Sequence, residues 1–176
     1  MSVPPLDVEK AWISRKLEHG RQLFRAQFSP DGRWVVAGGQ DKLVHLWKLE
    51  NDDKKTLDGH KTWVSSLAFH PKDKKLFTAD YLGVVQCWNY ENGDKPIWTI
   101  AEADRDNVRV LVVTPDGKFL ISAGDDAVVK AWKTSDGKLV AEMKGHEECI
   151  FSLAISPDGK HLVSGDLYGS VRQWAI

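Results

Sequence analysis

The stretch Phe119-Leu120-Ile121-Ser122-Ala123-Gly124-Asp125-Asp126-Ala127-Val128-Val129-Lys130-Ala131-Trp132 decides how the rest of the chain is read. Two short apolar runs flank a Gly-Asp-Asp turn, and a tryptophan closes the second run, the pattern of a β-hairpin. Three further segments share this layout and end at Trp47, Trp88 and Trp174. Each is preceded by a proline turn: Ser29-Pro30-Asp31-Gly32, His70-Pro71-Lys72-Asp73, Thr114-Pro115-Asp116-Gly117 and Ser156-Pro157-Asp158-Gly159. Proline presets the first dihedral of such a turn, and glycine takes the left-handed position that closes it. Asp73 stands in that glycine place in the second unit, and aspartate tolerates a positive φ better than most residues.

The phase is constant. From proline to tryptophan the count is 17 in every unit (30 to 47, 71 to 88, 115 to 132, 157 to 174). Ten residues before each turn stand His19, His60, Asp104 and His146, and only the tryptophan-to-histidine connection varies, at 13, 16 and 14 residues. Constant hairpins joined by one elastic connection describe a sheet unit repeated and stacked. Alternation predicts strands at 23–28, 34–37 and 43–48; 64–69, 75–78 and 84–89; 108–113, 119–122 and 128–133; and 150–155, 161–164 and 170–175. A fourth strand per unit falls in the connections, near 55–57, 97–100 and 139–143.

Composition narrows the function classes. With 24 basic and 25 acidic residues in 176, no net field recruits nucleic acid or an anionic membrane. Cys87 and Cys149 show neither metal-ligand spacing nor a disulfide framework, which reads as buried thiols in a reducing compartment. Residues 1–7 lack a signal-peptide pattern, no apolar run reaches membrane-spanning length, and a cytoplasmic location is the expectation.

Gly59-His60 and Gly145-His146, the Ser-Pro-Asp-Gly turns and the tryptophan-terminated strands resemble the WD-repeat (WD40) family. The spacing of 41 to 44 residues between successive prolines agrees with that family's roughly 40–45. The resemblance implies an all-β fold: a β-propeller of four-stranded antiparallel blades, four blades per chain, over residues 10–176 after a tail at 1–9. The last unit stops two residues after Trp174, one strand short. A segment at 10–17 is expected to complete that last blade, as N-terminal strands commonly do in the family. An open arc exposes blade faces and strand edges, so two chains are expected to combine 4 + 4 into an eight-bladed homodimeric ring. A closed four-bladed monomer and a piece of a larger protein are the alternatives.

The resemblance also implies a hydrogen-bonded tetrad of histidine, strand hydroxyl, turn aspartate and tryptophan in each blade. The matching positions are His19, Asp41 and Trp47, with Ala37 in the hydroxyl place; His60, Thr78 and Trp88, with Leu82 in the aspartate place; Ser122, Asp126 and Trp132, with Asp104 in the histidine place; and His146, Ser164 and Trp174, with Tyr168 in the aspartate place. Ser/His/Asp sets invite a hydrolase reading, but their regular recurrence points to structure, and the inner strands offer Arg25 and Arg109 without opposed carboxylates. His19, His60 and His146 fall on separate blades, too far apart to share one ion, so neither metal nor cofactor is expected.

Units two and four share an unusual turn, Asp80-Tyr81-Leu82-Gly83 and Asp166-Leu167-Tyr168-Gly169. It places bulky residues on the rim where propellers usually bind, beside Trp63. Packing of Tyr81 and Tyr168 over the neighbouring blade is the competing account. Of the other tryptophans, Trp12 and Trp98 fall in outer strands, and Trp34 has no role the pattern assigns. The chain thus reads as a non-catalytic interaction scaffold for a protein or peptide partner, with contacts at Arg21, Trp63, Tyr81, Asn107, Leu167 and Tyr168. A regulatory or sensor module of a larger assembly and a propeller hydrolase are the rival readings.

Overall fold

The computed structural model describes residues 13–176. Fifteen strands form four antiparallel sheets. Blade 1 comprises β1 (Leu23–Phe28), β2 (Trp34–Gly39), β3 (Leu43–Lys48) and β4 (Lys54–Asp58); blade 2 comprises β5 (Val64–Phe69), β6 (Lys75–Asp80), β7 (Val85–Asn89) and β8 (Trp98–Ile100). Blade 3 holds β9 (Val108–Val113), β10 (Phe119–Gly124), β11 (Val128–Lys133) and β12 (Leu139–Lys144), and blade 4 holds β13 (Ile150–Ile155), β14 (His161–Asp166) and β15 (Val171–Ala175). Each second strand runs two residues past its expected end, because the hairpin turn is tighter than the alternation suggested. A register shift recurs where the first strand of every blade leaves the second, at Leu23/Arg25, Val64/Ser66, Ala123/Gly124 and Ile150/Ser152. One extra residue there bends the inner strand in the same way four times.

Side chains alternate across each sheet, so a strand contributes to two interfaces. Leu76 and Trp88 face blade 1, where they meet Val36, Val44 and Leu46. The intervening Phe77 and Cys87 face blade 3 and meet Leu111, Leu120 and Trp132. Ile121, Ala123 and Val129 in turn meet Ile150, Leu162 and Trp174 of blade 4. One rule describes all three interfaces: the tryptophan-bearing face of a blade lies on the opposite face of the blade before it. Burial of these apolar faces is the main force holding the stack, at about 25 cal/mol per Å².

The strands β1, β5, β9 and β13 line the inside, around a hollow of about 310 Å³ bordered by Arg25, Gln27, Ser66, Val110 and Phe151. β1 packs on β5, β5 on β9 and β9 on β13. The stack is an arc whose two ends lack a neighbour among the described residues: β5 is buried almost throughout, whereas Arg25 to Phe28 of β1 are exposed. On blade 1 the open face carries Phe28, 66 % exposed; on blade 4 it carries Val163 and Val171, 40 % and 75 % exposed.

The expected strand over 10–17 falls partly outside the described residues. Its described part, 13–17, is irregular, and Arg15 donates to the Leu49 carbonyl at 2.8 Å and pairs with Asp52 at 3.0 Å, beside blade 1. The last sheet has three strands among the described residues.

The proline turn of the second unit departs from the others. Asp73 is not among the residues with positive φ. Instead the His70 ring accepts the Asp73 amide at Nδ1, 2.8 Å, and its Nε2 lies 2.8 Å from the Gly117 carbonyl. Gly117 has φ +82°, and a Cβ there would come within 2.5 Å of that ring. Glycine at 117 therefore serves both the turn and the seating of blade 2 on blade 3.

Trp34, which the repeat pattern left without a role, is buried in the interface between blades 1 and 2, with the Lys55 ammonium 5.3 Å from its ring. Trp98 packs on Phe77 and donates to the Thr134 carbonyl of blade 3 at 3.3 Å. Trp12 lies outside the described residues. Cys87 is fully buried, and burial pushes its thiol up to about 12.

Candidate docking face and the tetrads beneath it

The four tetrad positions sit directly under the rim and determine how its turns are held. In blades 2 and 4 the hydrogen-bond chain is complete, and the sequence reading is corrected there. Leu82 and Tyr168 do not mark a missing carboxylate: Asp80 and Asp166, two residues earlier, supply it. His60 Nδ1 lies 2.8 Å from Asp80 Oδ2, and His60 Nε2 lies 2.6 Å from Thr78 Oγ1, which accepts the Trp88 indole N–H at 2.8 Å. In blade 4 the same contacts measure 2.7, 2.6 and 2.8 Å through Asp166, His146, Ser164 and Trp174.

The proton order follows from donor and acceptor capacity. A carboxylate only accepts, so each histidine donates from Nδ1. Nε2 is then the acceptor of the hydroxyl proton, and the hydroxyl oxygen accepts from the indole. Each carboxylate's other oxygen takes two amides of its own turn: Leu82 and Val84 on Asp80, at 2.9 and 3.1 Å, and Tyr168 and Ser170 on Asp166, at 3.1 and 2.8 Å. The hydrogen bond from His146 holds the Asp166 carboxyl below its usual range.

The Ser164–His146–Asp166 row has the contacts of a hydrolytic triad. Ser164, however, is buried to 1 % exposure and its oxygen is capped by the Trp174 indole. An attacking oxygen must reach a substrate carbon, and this one faces only protein.

Blades 1 and 3 solve the same position differently. In blade 1, with Ala37 in the hydroxyl place, His45 of β3 swings in. Its Nε2 donates to Asp41 Oδ2 at 2.7 Å, and its ring centroid lies 4.0 Å from that of His19. Burial pushes Asp41 up, but the His45 hydrogen bond and charge outweigh it and hold the carboxyl below its usual range. Burial lowers the His45 ring. In blade 3, Trp132 donates to Ser122 at 2.9 Å, and Lys130 bridges Asp126 and the Ala103 carbonyl at 2.5 and 2.8 Å.

Asp104, in the histidine place of blade 3, is 4 % exposed, and burial together with the neighbouring Asp126 raises its carboxyl to about 6. A carboxyl that binds its proton more tightly in the folded state contributes stability below its unfolded value, lost as pH rises through the folded one. The contribution of Asp104 to the unfolding free energy should therefore fall by roughly 2 kcal/mol between about pH 4 and pH 6.5. Urea titrations across that window should show the slope flattened in Asp104→Asn; equal slopes in both proteins would contradict this assignment.

Above the tetrads, Trp63 and Tyr81 are 41 % and 37 % exposed and meet edge-on at 5.4 Å. Phe24 of blade 1 completes the group at 5.9 and 5.8 Å from them. The Tyr81 amide donates to the Trp63 carbonyl at 3.2 Å, which ties the turn to the chain entering β5. Tyr81 thus both packs over the neighbouring blade and presents an edge to solvent. Leu167 and Tyr168 stand out further, at 53 % and 79 % exposure, with Leu167 tied to the Cys149 carbonyl at 3.0 Å. Tyr168 does not fold over a neighbour.

Arg21 is exposed near the same rim. Asn107 is corrected: at 4 % exposure it is buried, with its Oδ1 unpartnered, and its backbone carbonyl accepts the Asp125 amide at 3.1 Å. A docked partner cannot reach it. Beside Leu82 a charged hollow of about 470 Å³ opens between blades 2 and 3, lined by Glu102, Arg105, Lys130, Glu142 and Lys144. Phe24 and this hollow escaped sequence reading, since their proximity to the rim depends on which blade follows which. Arg109 is also corrected: it meets a carboxylate, that of Asp125, and lies 4.2 Å over the Phe151 ring.

The family model described as "WD domain, G-beta repeat" matches residues 14–48, 51–89, 94–133 and 137–175. The chain is 33 % identical to nuclear distribution protein PAC1-1 of Uncinocarpus reesii, over 67 % of the chain and 31 % of that protein. It is 24 % identical to apoptotic protease-activating factor 1 of Rattus norvegicus, over 93 % of the chain and 13 % of that protein. Among solved structures, a chain of the mitotic checkpoint complex superposes with a TM-score of 0.81 at 21 % identity, covering 91 % of this chain and 49 % of that one. The chain spans under two fifths of either curated relative and about half of this structural neighbour.

Proposed function

Because the chain belongs to the WD40 repeat family across all four of its blades, we propose that it is a non-catalytic scaffold that docks a protein or peptide partner on the rim. The observation that carries this reading is the exposed Trp63–Tyr81 pair beside the charged hollow, with Leu167 and Tyr168 on the equivalent turn of blade 4. Exposed aromatics held by a rigid frame lose little conformational freedom on binding, which is why they dominate interface energies. The burial of both hydroxyls that touch a histidine supports the absence of hydrolysis.

The test compares the wild-type chain with Tyr81→Ala/Leu167→Ala as immobilised bait. Proteins captured from the source cell by the wild type should be lost, with affinity lowered at least about tenfold, while the melting curve is kept. Equal capture, or a variant that no longer folds, would overturn the docking role of these turns.

The two open end faces support a second element of the proposal. Blade 4 offers the face that receives a tryptophan-bearing face at each internal interface, and blade 1 offers its tryptophan-bearing face. Two copies joined head to tail through both ends make a 4 + 4 ring that closes by a twofold axis.

A further inference from the structure

We propose that blade 1 contains a divalent transition-metal site of the zinc class, formed by His19, Asp41 and His45. These three side chains are 11 %, 17 % and 3 % exposed, and their ligand atoms all lie within 4.8 Å of one another. Both imidazoles converge on one carboxylate oxygen: Asp41 Oδ2 is 2.7 Å from His45 Nε2 and 3.0 Å from His19 Nε2. Only the His45 contact is aligned as a hydrogen bond, so His19 Nε2 is buried without a partner.

Blade 1 alone has this composition. In blades 2 and 4 both ring nitrogens of His60 and His146 are used, one by a carboxylate and one by a hydroxyl. Ala37 removes that hydroxyl from blade 1, and the position two residues before the tryptophan is His45, against Gln86, Lys130 and Arg172 in the others. The sequence reading placed His19 with His60 and His146, on different blades. The structure places it instead with a second histidine of its own blade.

Two imidazoles and one carboxylate are a common zinc donor set. Metal–nitrogen bonds near 2.0–2.1 Å put neighbouring donors of a tetrahedral ion roughly 3.3 Å apart. The nitrogen–oxygen contacts, at 3.0 and 2.7 Å, need open by only about 0.3 and about 0.6 Å. Binding moves the His45 proton from Nε2 to Nδ1, which is unpartnered, so that Nε2 offers its lone pair to the ion; it also gives His19 Nε2 a partner. A hollow of about 530 Å³ bordered by Lys16, Leu17, Glu18, His19 and Gly20 lies on the outer side of His19.

The experiment titrates the untagged, chelator-treated chain with Co²⁺, then with Zn²⁺ in competition. We expect one equivalent of Co²⁺ with the visible absorption of a tetrahedral nitrogen–oxygen site, displacement by Zn²⁺, and a raised melting temperature with either ion. His45→Gln, which places in blade 1 the residue that blade 2 carries there, should weaken binding at least about tenfold. Asp41→Asn and His19→Gln should do the same, so the conclusion does not depend on one variant folding, and Cys149→Ser should bind as the wild type does. No tetrahedral spectrum, or equal affinity in the wild type and every folded ligand variant, would overturn the site.

Discussion

Replacing Asp80 by alanine should lower the unfolding free energy by about 3–5 kcal/mol. The carboxylate is 1 % exposed and receives the His60 ring and the Leu82 and Val84 amides. Removing it orphans those donors together, each at a cost of roughly 1–3 kcal/mol. For a chain of this size the melting temperature should drop by about 10 °C. Asp80→Asn keeps one acceptor and should lose less, while Leu82→Ala, at an exposed turn position, should stay within about 0.5 kcal/mol. Calorimetry on the three variants decides the matter: a Leu82 variant as unstable as the Asp80 variant would return the aspartate place to position 82.

A glutamate at Val171 should take apart the proposed ring. Val171 is 75 % exposed on the open face of blade 4, and its counterpart Val129 in blade 3 is fully buried against the next blade. Pairing blade 1 of a second copy with that face would bury Val171 in the same way, and a carboxylate there would have no partner. Sedimentation equilibrium should give twice the 19.8 kDa chain mass for the wild type and a single chain for Val171→Glu. The dissociation constant should rise at least about a hundredfold. A wild-type chain that stays monomeric across the concentration range would sink the homodimer, and the open faces would then belong to further blades of a longer protein.

The two ends of the molecule show how far local pattern reaches. The inner strands β5, β9 and β13 have the bounds that alternation predicts, because each lies between a turn and an invariant distance to tryptophan. The carboxylates of blades 2 and 4 were misplaced by two residues for the opposite reason. Asp80 and Asp166 hold the same phase in the two units that lack an aspartate later in the turn, and that coincidence was the available signal. Asn107 was named among the rim contacts, yet the fold buries it to 4 % exposure.

Repeat length, turn chemistry and side-chain alternation are local properties, so the order of residues alone specified four similar sheets, their strands and the tryptophan that closes each. Folding in three dimensions settled which donors meet. His45 joins His19 across the gap left by Ala37, Trp63 and Tyr81 gather around Phe24 of another blade, and the charged hollow forms where blade 2 abuts blade 3. Such groupings depend on distances between strands remote in sequence, and hydrogen bonds and packing vary over ångströms that no spacing along the chain encodes.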